Sequence, residues 1–154
     1  RQRGLHPKQI RFRRDGRRVH LPHLEADPAH VTRALTIADE ALARFAPWDG
    51  PGWPTDEPRR SGRAIIGTIG STDVWHVDAD DIRAHREAYG TACEDMESAF
   101  VAQVCALHAV PFLAVRAISD NEAAARLPES EVSSAIAAAG ARAAAVLAKL
   151  AAAI

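Results

Sequence analysis

Pro111 introduces an apolar run, Phe112-Leu113-Ala114-Val115-Arg116-Ala117-Ile118, that stops abruptly at Ser119-Asp120-Asn121. A run of this length between a proline and a polar turn predicts a buried strand. Just upstream, the acidic turn Glu94-Asp95-Met96-Glu97 opens an apolar helix from Ser98 to about Leu107, with a break at His108-Ala109. A helix feeding a buried strand confines the chain to α/β architectures, in which ligands sit beyond the carboxyl ends of strands. Asp120 falls at such an end. Glu97 falls at a helix start, where the dipole and free N–H groups favour a carboxylate. The two acids are expected in one site.

The other segments extend the alternation. Pro28 to Phe45 predicts an amphipathic helix capped by Asp27, its apolar stripe (Val31, Ala34, Leu35, Ile37, Ala38, Leu42, Ala43) expected to face a sheet. Ala46 to Gly62 is turn-rich, and Trp48 and Trp53 in it are expected to pack the loop on its own body. Ala64 to Gly70 predicts a strand, Asp78 to Tyr89 a polar helix stopped by Gly90, and Thr91-Ala92-Cys93 a brief strand. Glu129 to Ile154 predicts a long closing helix, with Ile136, Ala139, Ala143, Val146, Leu147, Leu150 and Ile154 on the stripe that approaches the sheet. Residues 1–24 carry a dense basic run and are expected to form an irregular solvated or subunit-contact segment.

Composition excludes several classes. The 154 residues, 47% hydrophobic and 25% charged, suit one core rather than two. A net charge of −1 gives no global attraction to nucleic acid or anionic membrane. The longest apolar stretches are Ala-rich and contain Arg and Lys, so no bilayer span is expected, and no signal peptide is visible. Cys93 and Cys105 are expected as reduced thiols, which favours a cytoplasmic protein. His76 and Asp78 have the spacing of a metal pair on a strand, but no third ligand is evident and no metal is assigned. The first residue is not Met, and Arg1 is not expected to be the biological start.

Asp95-Met96-Glu97-Ser98-Ala99, followed by Val110-Pro111-Phe112 and Arg116-Ala117-Ile118-Ser119-Asp120, resembles the methylthioadenosine/S-adenosylhomocysteine nucleosidases of the nucleoside phosphorylase superfamily. Ser71-Thr72-Asp73-Val74-Trp75 resembles their S-G-D-x-F segment, with Thr72 for Gly and Trp75 for Phe. The resemblance covers about Glu25 to Ile154 and implies a three-layer α/β/α sandwich with a mixed twisted sheet, its N-terminal strands missing. It implies hydrolysis of an adenine nucleoside at the N-glycosidic bond, without a cofactor, in a homodimer. It also implies that the family's first strand and Gly-rich loop are missing, leaving one partial domain, inactive alone, completed by the missing half or a second chain.

Expelling a purine requires a proton on the base and an anion beside the cationic sugar. The resemblance gives the first role to Asp120, oriented by Ser119, and the second to Glu97, with Met96 beneath the sugar. Trp75 would stack on the base, His76 lies in the segment that reads the base edge, and Asp95 stands behind Glu97. Arg116 is expected to pair with a carboxylate inside the fold. The alternatives are a phosphate-dependent purine nucleoside phosphorylase, an AMP nucleosidase, a futalosine hydrolase, and a non-catalytic nucleoside-binding protein on the same fold.

Overall fold

Residues 10–21, 23–49, 58–122 and 127–153 are described by the structure, a computed structural model. In chain order the elements are β1 (Ile10–Arg14), β2 (Arg17–Leu21), α1 (Pro28–Leu42), β3 (Thr68–Ser71), α2 (Ala79–Tyr89), β4 (Thr91–Asp95), α3 (Ser98–Leu107) and α4 (Glu129–Ala151). Local chemistry sets several helix ends. Asp27 caps α1 by accepting from His30 N at 2.9 Å, with Pro28 in the first turn, where its missing N–H costs nothing. Asp78 caps α2 through Asp80 N and Asp81 N, and Gly90 ends it at φ 65, the left-handed conformation that favours glycine.

The core lies between α1 and α4. Ala38, Ala41, Leu42 and Val146 form its buried centre, with Phe45 and Val115 packed against it. Burying Leu42 and Val146 contributes about 1.5–3 kcal/mol each. Both helices were expected to face a sheet, and instead they cover one another. Their small-residue stripes let two helices approach closely, and helical periodicity marks an apolar face without naming its cover. By length and apolar composition alone α4 is able to cross a bilayer. Here its face packs on α1, and its cations are held by protein: Arg142 by the carbonyls of Ser61 and Ala46, Lys149 by Glu40. Trp48 is buried under the Arg142 guanidinium, 4.7 Å from its ring, so it packs the loop on its own body; Trp53 lies outside the described residues.

The fold is mixed α/β, with helices flanking small sheets. Among the described residues the strands form two two-stranded sheets rather than one mixed sheet: antiparallel β1–β2 and parallel β3–β4. The basic segment expected to be irregular is a hairpin in its described part. Asp15 and Gly16 turn it with φ 50 and 76, the Asp-Gly signal of a two-residue turn. The strand expected from Ala64 starts only at Thr68, and Ile66 is 70% exposed. A Cβ at Gly67 would sit 2.5 Å from Ala92 Cβ, and the β3–β4 register shifts between Thr68 and Ile69. Regular pairing starts beyond that crossing point.

The run Phe112 to Ile118 is not a strand. Phe112 O accepts from Asp27 N at 2.7 Å and Val115 packs on the core, but no ladder forms along it among the described residues. Apolar composition reports burial, whereas a strand also needs a neighbour for its backbone groups. Cys93 and Cys105 are free thiols, half-buried rather than core residues.

Candidate active site

Consecutive strand residues point to opposite faces, and β4 ends in two acids. Asp95 and Glu94 therefore organise different sides of the β3–β4 pair.

Asp95 is the anchor of one side. Its Oδ1 accepts from Ser71 Oγ at 2.6 Å and from Ser98 N at 3.1 Å, and its Oδ2 from Ser98 Oγ. Arg116 Nε lies 2.6 Å from Oδ2, and the Arg116 fork also donates to Ser98 Oγ. Burial pushes this carboxyl up, but hydrogen bonds from Ser71 and Ser98 and the Arg116 guanidinium outweigh it and hold the group below its ordinary value. Asp95 thereby caps α3, because Glu97, at the nominal cap position, makes no side-chain cap bond. Ser71 Oγ in turn accepts from Ala99 N at 2.9 Å, so β3, β4 and the start of α3 are joined through one hydroxyl. Arg116 was expected to pair with a carboxylate inside the fold, and Asp95 is that partner.

Glu97 projects into solvent, with Oε2 3.6 Å from Arg116 Nη2. Asp120 is half-buried and receives the Ser119 hydroxyl on Oδ2. Arg116 thus lies against Asp95 and Glu97 of the turn, and it lies four residues before Asp120. No hydrogen bond or ion pair joins Glu97 to Asp120 directly among the described residues. Met96 is exposed, and Trp75, 55% exposed on the loop after β3, does not fill the core.

The other side of β4 holds a second cluster. His76 Nδ1 lies 2.9 Å from Glu94 Oε2, and His85 Nδ1 lies 2.7 Å from Glu94 Oε1. The two imidazoles meet edge to face, with centroids 4.5 Å apart. His76 therefore turns its ring to Glu94, while Asp78, two residues on, is occupied in capping α2. These three side chains have ligand atoms within 4.8 Å of one another, a grouping that could hold a metal ion.

Compared with known protein families, residues 7–152 match the pattern of one described as the Phosphorylase superfamily. The chain belongs to that superfamily. It is also similar to the 5′-methylthioadenosine/S-adenosylhomocysteine nucleosidases of Mycobacterium bovis and Mycobacterium tuberculosis, each 34% identical over 111 residues. That stretch is 66% of this chain and 41% of each relative, so the chain spans well under half the length of these relatives.

In this superfamily member the sequence pointed to Asp95, Met96, Glu97, Ser119 and Asp120 through one bipartite motif. The structure binds its two halves through Arg116. It adds Ser71 and Ser98, whose signal was Asp95 standing three residues before Ser98 at a helix start. It also adds His85 and Glu94, for which His76 alone gave no signal.

Proposed function

We propose that this protein is an N-glycosyl hydrolase of purine nucleosides, acting on adenine nucleosides of the methylthioadenosine/S-adenosylhomocysteine type and releasing adenine. Asp120, oriented by the Ser119 hydroxyl, delivers the proton to the departing base. Glu97 accepts the ribose hydroxyls and steadies the positive charge on the sugar. Trp75 stacks on the base and Met96 lies under the ribose. Asp95 does not touch substrate; it fixes the turn that presents Met96 and Glu97.

The observation that carries this reading is the 2.6 Å pair between Arg116 and Asp95. It ties the acidic turn to the segment ending at Asp120 and so joins the two halves of the motif. Exposed Phe100, Val101 and Val104 on α3, with Ile65 and Ile66, support a larger assembly. In that assembly further protein, from the same polypeptide or a second copy in a homodimer, completes a three-layer α/β/α sandwich and the site.

The test is Asp120→Asn in the full-length protein. Turnover of methylthioadenosine should fall by about 10²–10⁴-fold, the usual contribution of a positioned general acid, with substrate affinity largely kept. Unchanged turnover refutes the assignment. The superfamily's description favours one second reading, phosphorolysis, which predicts that base release requires inorganic phosphate and yields ribose 1-phosphate.

A further inference from the structure

His76, His85 and Glu94 come from three separate elements: the loop after β3, the middle of α2, and β4. Gly70 pairs with Glu94 across the β3–β4 ladder, and a Cβ there would meet Glu94 Cγ at 3.6 Å and Thr91 Cγ2 at 3.0 Å. The tight approach is to Thr91, while the Glu94 distance is ordinary van der Waals contact. The carboxylate is mostly buried, yet no Lys or Arg pairs with it among the described residues; the nearby Arg116 is committed to Asp95 on the opposite face. A sequestered carboxylate calls for a cation, and what faces this one is the same ring nitrogen, Nδ1, of two imidazoles.

We infer that His76, His85 and Glu94 form a binding site for a divalent transition ion of the zinc class. Two imidazole nitrogens and one carboxylate oxygen are a donor set that suits zinc and leaves a fourth position for water. Tetrahedral coordination at zinc–nitrogen distances near 2 Å needs ligand atoms about 3.3 Å apart. His76 Nδ1 lies 2.9 Å from one Glu94 oxygen and His85 Nδ1 lies 2.7 Å from the other, and one ligand atom from each residue lies within 4.8 Å of the other two. These separations bracket that value, and a bound ion would draw the three donors to it. Both histidines would bind as neutral rings with the Nδ1 lone pair turned inward, the Nε2 nitrogen carrying the proton. The ion would clip α2 to β4 and fix the loop that carries Trp75. The site lies across the strand from the Asp95 network, so this inference does not depend on the nucleosidase reading.

The alternative is a metal-free network in which both rings donate Nδ1–H to the carboxylate. The experiment is to strip the full-length protein with a chelator and titrate it with Zn²⁺ while following the melting temperature. A parallel titration with Co²⁺ follows the visible bands of four-coordinate cobalt. One equivalent should bind, raise the melting temperature and give those bands, and His76→Ala and Glu94→Gln should each weaken binding by at least about 10-fold. Both variants are used because each also removes a hydrogen bond of the fold, and far-ultraviolet circular dichroism checks that each is folded. An absence of Zn²⁺ binding by the wild-type protein overturns the inference. So does binding that persists undiminished in the folded variants, since it then belongs to other histidines.

Discussion

Replacing Asp95 with alanine should be the most damaging single change outside the α1–α4 core. The side chain is only 9% exposed, and its loss removes the cap of α3, the Ser71 hydrogen bond and the partner of Arg116 together. A helix cap is worth about 1 kcal/mol, and a hydrogen bond to a charged group about 1.5 kcal/mol at the low end. The Arg116 side chain is 37% exposed, so water replaces much of its lost partner and the ion pair counts for about 1 kcal/mol. The expected loss is about 3–4 kcal/mol, or about 10 °C in Tm for a chain of this size. Asp95→Asn keeps the shape and one acceptor and should lose about half as much. Urea unfolding followed by circular dichroism measures both. The pH dependence gives a separate check. The folded-state carboxyl is held below its ordinary value, so its stabilisation is complete above the unfolded value of about 3.9 and is lost as pH falls through the folded value. The gap between wild type and Asp95→Asn should therefore be full at neutral pH and narrow in acid. A loss below about 1 kcal/mol for Asp95→Ala, or a gap that does not narrow, would refute the role given to this residue.

Two further outcomes follow from the same geometry. Arg142 donates to Ser61 O, Ala46 O and Ala138 O and lies over the rings of Phe45 and Trp48. Arg142→Ala should cost about 2–3 kcal/mol and shift Trp48 emission to the red, and Arg142→Lys should recover less than half, because an ammonium lacks the planar fork; equal stability of wild type and Arg142→Lys counts against it. The Cys93 thiol is pushed up, first by burial and then by the Asp95 carboxylate, with Arg116 pulling the other way. In a Cys105→Ser background Cys93 should react with iodoacetamide at mildly alkaline pH more slowly in the folded protein than in urea, and matching rates would contradict this.

The residue sequence alone determined what acts over one helical turn. Asp27 and Asp78 cap α1 and α2, Gly90 ends α2, and α3 spans the residues expected for it, because these signals are hydrogen bonds and dihedral preferences between near neighbours. The Asp15-Gly16 turn was equally local and was legible, although the basic charge around it drew the reading toward an irregular segment. The bipartite motif singled out Glu97 and Asp120 by resemblance, since a family's residue types at fixed spacing survive without any knowledge of contacts. Only the tertiary structure decided what covers what. The stripes of α1 and α4 meet each other, the run from Phe112 supplies Val115 to the core without pairing as a strand, and Arg116 reaches back to Asp95. The His76–His85–Glu94 cluster belongs to the same class. An apolar or ionisable side chain encodes what kind of neighbour it needs, but the identity of that neighbour depends on strand register and helix packing between segments far apart in the chain.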